Sequence, residues 1–76
     1  MNVQEVTTLR DHIYLEIVFW GDVYFNHNNI LNEEEDNHIR LHLQVFLRTV
    51  NRLIRQLRFE HQQVQRNIDN ILAMRR

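Results

Sequence analysis

The sequence predicts an all-α fold, in which two helices form a hairpin and two hairpins dimerise into a coiled-coil-like four-helix bundle. Three observations favour this fold. Apolar residues recur at helical spacing in both halves of the chain. The chain contains no proline and only one glycine to interrupt a helix. The apolar band of the second half is also wider than the band of a two-stranded coiled coil. A chain of 76 residues without cysteine makes one small domain, which usually needs oligomerisation to build a sufficient core.

The first helix is predicted over residues 3–27. Seven apolar residues keep helical spacing there: Val3, Val6, Leu9, Ile13, Ile17, Trp20 and Tyr24. The centre of this helix is apolar on almost every side, which a helix tolerates only when several neighbours bury it. We therefore expect the largest side chains of this segment in the core of the assembled bundle: Tyr14, Phe19, Trp20 and Tyr24.

A β-hairpin is the alternative for residues 13–25. This segment is rich in β-forming residues, and Gly21-Asp22 between two apolar runs is typical of a type II′ turn. However, an isolated pair of strands is barely stable in water, and the helical spacing extends back through residues 3–9. The helix is therefore the preferred prediction.

A connection is predicted at residues 28–32, followed by a second helix over residues 33–74. Asn32 is expected to cap this helix, and Glu35 stands three residues later, as in a capping box. Three further acids would then lie in the first turn, where the helix dipole favours negative charge: Glu33, Glu34 and Asp36.

The apolar residues of the second helix follow a heptad pattern. If Leu43 is placed at position a, every later a residue is apolar: Val50, Leu57, Val64 and Ile71. The d residues are Ile39, Phe46, Leu53, Glu60, Asn67 and Met74, and the e positions add Leu47, Ile54 and Ile68. Apolar residues at a, d and e together indicate a helix that contacts at least two neighbours.

The predicted interface combines both helices. It comprises Ile39, Leu43, Phe46, Val50, Leu53, Leu57, Val64 and Ile71 of the second helix with Ile13, Ile17 and Trp20 of the first. Glu60 and Asn67 leave two interpretations open. Either the apolar pattern ends near Leu57 and both face solvent, or they are buried polar residues that fix register.

Charge is strongly divided along the chain. Residues 1–36 hold eight acids and one arginine, a formal −7, and residues 37–76 hold eight arginines and two acids, a formal +6. Arg40 and five other arginines fall within an arc of about 120° on the second helix, and these five form a candidate face for an anionic partner: Arg48, Arg52, Arg55, Arg58 and Arg66. The preferred interpretation is that the two halves pack on each other, within one chain or between two, because the opposite charge is already present in the molecule.

Catalytic and metal-binding patterns are weak. His38 and His42 are four residues apart, with Glu35 before them, but no second Glu-x-x-His segment accompanies them, so we interpret them as surface histidines and predict no metal or cofactor. His61 is expected at the rim of an interface. The chain has no cysteine, serine or glycine-rich loop and no recognisable catalytic triad, so we predict no enzyme.

The function predicted from these patterns is a non-catalytic oligomerisation or adaptor module that acts as a scaffold, either as a homodimer or within a larger protein complex. The alternative is a nucleic-acid-binding helical oligomer that uses the arginine face. No apolar stretch is long enough to span a bilayer, and no basic leader precedes an apolar run. We therefore expect an intracellular protein that does not bind membranes.

Overall fold

A computed structural model describes residues 2–75, which form two α-helices packed as a hairpin. Helix α1 comprises Val3–Glu33 and helix α2 comprises Asn37–Met74, and the hairpin measures 60 × 15 × 14 Å. The predicted all-helical hairpin is thus confirmed. The β-hairpin alternative is wrong, because Gly21 lies inside α1 without the positive φ of a type II′ turn.

Each helix begins at a polar cap. The Asn2 side chain accepts a hydrogen bond from the Glu5 N–H at 2.8 Å. The Asp36 carboxylate accepts from the N–H groups of His38 and Ile39 at 2.8 and 3.2 Å, which satisfies two donors that the helix leaves free. The predicted N-terminal cap of α2 at Asn32 is therefore wrong, because the cap is Asp36, four residues later.

The connection is residues 34–36 rather than 28–32, because α1 extends further than its asparagine-rich end suggested. Leu31 is half-buried between the helices, which favours a further turn of α1. The Arg40 guanidinium then donates to the carbonyl oxygens of Leu31 and Glu34, both at 2.9 Å. The Leu31 carbonyl also accepts from the Glu34 N–H at 3.3 Å, so the Arg40 side chain adds two hydrogen bonds at the end of α1, where carbonyl oxygens lack helical partners.

The acids of this region consequently occupy other positions than predicted. Glu33 is the last residue of α1 and Glu34 is its C-terminal cap. Glu35 lies in the connection, outside any capping box. The Asp36 carboxylate lies at the start of α2, where the helix dipole favours negative charge. The Glu34 carboxylate lies close to it, because it accepts a hydrogen bond from the Asp36 N–H at 3.0 Å.

The helices meet along one seam, defined here by the buried and half-buried residues that alternate at spacings of three and four. On α1 these are Val3, Val6, Arg10, Ile13, Ile17, Trp20, Tyr24, His27 and Leu31. On α2 they are Leu43, Leu47, Val50, Ile54, Leu57, His61, Val64, Ile68 and Ile71. The predicted a positions of α2 all lie in the seam, but they are joined there by the e positions rather than by the d positions.

Polar residues of the seam include Arg10, His27 and His61. Arg10 donates to the Gln65 side-chain oxygen at 3.1 Å and to Asp11, and the Gln65 amide donates to Asp69 at 3.0 Å. This chain of bonds joins the two helices and fixes their alignment. Glu60 and Asn67 are exposed instead, so the structure gives them no role in the register of the hairpin.

Candidate association surfaces

The eleven predicted interface residues divide into two groups. Eight lie in the seam, where α1 and α2 already cover each other: Ile13, Ile17, Trp20, Leu43, Val50, Leu57, Val64 and Ile71. Most of their surface is covered by the other helix, although Ile13 and Val64 also line an open groove. The remaining three lie beside the seam, where Ile39 is 45% exposed, Phe46 is 37% exposed and Leu53 is half-buried. These three remain accessible to a partner.

Large apolar side chains are more often exposed than buried in this hairpin. Seven apolar residues form the core, whereas fourteen large ones are exposed among the described residues. Single exposed apolar residues are ordinary, but contiguous ones mark contact surfaces. Neither α1 nor α2 contains a stretch long and apolar enough to cross a membrane.

Two contiguous surfaces can be defined from the exposed residues.

The first surface lies on α1 and is called the outer stripe: Tyr14, Val18, Gly21 and Phe25, with Leu15 beside them. Tyr14 is 56%, Val18 43% and Phe25 64% exposed. Each of the four stripe residues follows a seam residue by one position, so the stripe lies about 100° around the helix from the seam. It therefore repeats the spacing of a packing surface on a side where α2 contributes only the ring contact of His61 with Tyr14.

Gly21 is the unexpected member of the outer stripe. A glycine inside a helix costs about 0.8–1.0 kcal/mol relative to alanine. The hairpin offers no reason for it, because φ is not positive and an added Cβ would meet nothing within 4 Å apart from its chain neighbours and the backbone of its own helix. Gly21 is the single glycine of the chain, and the turn of the alternative β-hairpin was the one role that the sequence suggested for it.

The second surface, called the apolar edge, runs along the opposite side of the seam near the connection. It comprises Val23 and Ile30 of α1 with Ile39, Phe46 and Leu53 of α2. The ring centroids of Phe46 on α2 and His27 on α1 lie 4.7 Å apart. Ile30 is 50% exposed and Val23 half-buried. The edge thus contains three of the predicted d residues, Ile39, Phe46 and Leu53, which do not belong to the seam.

Further from the connection, the same side of the hairpin opens into a groove of about 460 Å³. Its lining is mainly apolar, with two acids at its rim: Leu9, Ile13, Glu16, Phe59, Glu60, Gln63 and Val64. Because Glu16 and Glu60 carry like charges on opposite helices, this part of the side is less suited to an apolar partner than the edge.

The five arginines of the predicted anionic-partner face are all exposed on α2: Arg48, Arg52, Arg55, Arg58 and Arg66. Within residues 2–75 the one ion pair joins Arg10 to Asp11, at 3.2 Å, and both belong to α1. No ion pair therefore connects the acidic first half to the arginine face in this part of the chain. Arg40, which the sequence placed in the same arc, is bonded to the end of α1 instead.

The histidines do not assemble into a site. His38 and His42 are exposed on α2, and Glu35 lies in the connection rather than on the same helix. No group of three potential metal ligands comes together between residues 2 and 75. His61 is half-buried in the seam, with its ring 6.4 Å from that of Tyr14, so it lies between the helices rather than at the rim of an interface.

Comparisons with known proteins do not assign a family. No protein-family model matches the chain, and neither the search of curated proteins nor that of solved structures finds a match. The functional proposal therefore depends on the surfaces of the hairpin itself.

Proposed function

We propose that the chain is a non-catalytic association module whose exposed apolar helix faces bind a protein partner, either another copy or a component of a larger complex. The observation that carries this proposal is the excess of exposed over buried large apolar residues. The seam residues form the main contact between the two helices. Of the exposed residues, Tyr14 and Phe46 add ring contacts across the helices.

The heptad pattern supports the same conclusion. Its a, d and e positions indicated two neighbours for α2, and the hairpin supplies one of them through the a and e positions. The d residues Ile39, Phe46 and Leu53 remain for a second neighbour. Covering a large apolar side chain stabilises an interface by about 1.5–3 kcal/mol, so several such residues are required to offset the cost of association.

Light scattering at increasing protein concentration tests the proposal. The molar mass should rise from that of one chain to at least that of two. The variants Phe25→Asp, in the outer stripe, and Phe46→Asp, in the apolar edge, show which surface is responsible, because only the surface in use should weaken association when charged. Asn70→Asp, an exposed position near the end of α2 and away from both surfaces, is the matched control. A folded monomer at every concentration would contradict self-association.

Binding of a nucleic acid is the second candidate function. It is favoured by the five exposed arginines of α2, which have no acidic partner in the described residues and would suit a row of phosphates. Against it, the whole chain carries a formal charge of −1, whereas nucleic-acid-binding domains are usually basic. Such binding should weaken steeply as salt rises, whereas association through apolar faces should not.

A further inference from the structure

The side of α2 opposite the seam carries arginines together with an exposed aromatic ring. Four arginines and one phenylalanine fall within an arc of about 60° when the helix turns by 100° per residue. These five residues are called the arginine row: Arg48, Arg52, Arg55, Phe59 and Arg66. All five are exposed, so the row presents positive charge and a ring on the same surface.

Phe59 is the member of the row that the hairpin does not explain. Its side chain is 61% exposed, and its contact with the rest of the hairpin is at the border of the groove. Arg55 precedes it by four residues and Arg66 follows it by seven, which are the spacings of neighbours on one helix face. Proteins that bind single strands combine such rings, on which bases stack, with positive charges that contact phosphates.

The charges of the row are available to a ligand. α2 contains two acids, and each accepts a hydrogen bond from a glutamine: Glu60 from Gln56 at 3.5 Å, and Asp69 from Gln65 at 3.0 Å. Between residues 2 and 75, no ion pair involves an arginine of the row. Arginine suits phosphate because its planar guanidinium donates two parallel hydrogen bonds.

The acids of the first half do not lie beside the row. They belong to α1 or to the connection, and α1 packs against the opposite side of α2. Neighbouring helix axes are about 8–10 Å apart, which is about the Debye length in 0.1 M salt, so a strand on the row would be largely screened from α1. Glu16 and Glu60 border the groove beside Phe59, and their repulsion of phosphate directs the backbone of a strand towards the arginines.

We propose that the arginine row binds single-stranded nucleic acid, with the arginines on phosphates and an unpaired base stacked on the ring of Phe59. This inference rests on the second candidate function above, and it assigns that function a ligand class and a base-contacting residue. The row is about 27 Å long at 1.5 Å per residue, the length of about eight stacked nucleotides at 3.4 Å each. A duplex would meet the arginines but not the ring, because neighbouring base pairs cover its base faces.

Fluorescence anisotropy with labelled strands tests the contact at Phe59. The probes are a thymidine strand longer than the row, an abasic strand of the same length and a duplex that contains the thymidine strand, each mixed with the full chain in about 0.1 M salt. Phe59→Leu keeps an apolar side chain but removes the ring, so the dissociation constant for the thymidine strand should rise about fivefold or more. The abasic strand and the duplex should bind this variant as they bind the unmodified chain.

Two further variants show that the ring at this position is responsible. Phe59→Trp retains an aromatic face and should keep the affinity for the thymidine strand. Phe25→Leu removes a ring of similar exposure, 64%, from the outer stripe of α1, and should also leave that affinity unchanged. Circular dichroism of each variant checks that the helices are retained.

Salt dependence tests the arginines separately from the ring. Each phosphate contact with a single strand contributes about 0.7 to the slope of log affinity against log salt. Arg52→Gln combined with Arg55→Gln should therefore lower the magnitude of this slope by about 1.4, whereas Phe59→Leu should leave it unchanged. Arg75→Gln removes an exposed arginine outside the row, and its slope should remain that of the unmodified chain.

A uridine strand compared with the thymidine strand distinguishes RNA from DNA as the source of the ligand. Phosphates and stacking faces are common to both, so tight binding of either strand supports the inference. Polyglutamate carries negative charge without bases. If it binds as tightly as both strands do, the row recognises an acidic protein surface, and the inference is overturned.

The outcomes separate this inference from the function on which it rests. If the arginine variants weaken binding but Phe59→Leu binds every probe unchanged, the base contact is wrong, and the nucleic-acid function stands without it. If no strand binds the unmodified chain, the second candidate function fails together with the inference. The association module, which light scattering tests, is unaffected by either result.

Discussion

The two helices share one seam but differ in what they present away from it. α2 is amphipathic, with arginines such as Arg52 and Arg55 on its outer side. The centre of α1 is apolar on the outer side as well, with Leu15, Phe19 and Phe25 each more than half exposed. One apolar stripe on each helix is enough to form the hairpin. The comparison therefore separates residues that form the fold, which lie in the seam, from exposed apolar residues that are available for association. The exposed residues lie on both helices, but only α1 gathers them into a stripe along the centre of its outer side.

The largest expected effect on the free energy of unfolding comes from placing a carboxylate in the seam, compared with the same substitution in the outer stripe. Leu57 is 6% exposed in the seam, and Leu57→Asp would bury an unpaired carboxylate between the helices. We expect a loss of roughly 4 kcal/mol or more in the free energy of unfolding, enough to unfold a domain of this size. Phe25→Asp should keep the helical circular dichroism of the dilute chain and reduce its association.

The same two variants can contradict the separation of seam residues, which form the fold, from exposed residues of α1, which are available for association. If Phe25→Asp unfolds the dilute chain as completely as Leu57→Asp does, the outer side of α1 is part of the folding core. The hairpin would then exist only as part of a larger assembly, and α1 and α2 would not differ in the way described.

An intermediate effect is expected at the boundary between the helices. Asp36→Ala removes the side chain that accepts hydrogen bonds from the His38 and Ile39 N–H groups, so the free energy of unfolding should fall by about 0.5–2 kcal/mol. Asn32→Ala is the matched control, because Asn32 lies within α1 and alanine favours helix. Thermal melting of both variants checks the boundary, and a larger loss for Asn32→Ala would return the cap to the position first predicted.

The smallest effect on folding is expected on the arginine face. Exposed charges contribute about 0–1 kcal/mol each, so the triple variant Arg48→Glu, Arg52→Glu, Arg55→Glu should retain the fold of the dilute hairpin. A gel-shift titration at low salt then tests the second candidate function. Nucleic-acid binding by the unmodified chain that the variant loses would favour that function, and no binding by either protein would favour the association module.

Much of the fold follows from the spacing of apolar residues. The helices, their hairpin and the a positions from Leu43 to Ile71 were all predicted from periodicity. The periodicity did not predict that the a residues would share the seam with e residues such as Leu47 and Ile54. A band of a, d and e residues can pack equally well through its a and d positions or through its a and e positions. The choice depends on which side of α1 meets α2, which is a tertiary property and cannot be read from either helix alone.

The ends of the helices and the association surface were harder to predict. Asn32 and Asp36 are both good caps, and the distant bonds of Arg40 to Leu31 and Glu34 favour the later one. Gly21 was recognised as a special position, but a turn and a close approach between helices both use glycine. The structure excludes the turn, because Gly21 lies within α1 without a positive φ.

The most direct test of the central division is the solvent accessibility of individual methyl groups, measured by nuclear magnetic resonance with a dissolved paramagnetic probe at low and high protein concentration. The methyl groups of Ile54 and Leu57 in the seam should be protected at both concentrations. Those of Leu15 and Val18 should be accessible in the dilute chain and protected in the concentrated one. Accessible Leu15 and Val18 methyl groups at every concentration, or seam methyl groups that become protected only on association, would contradict the account.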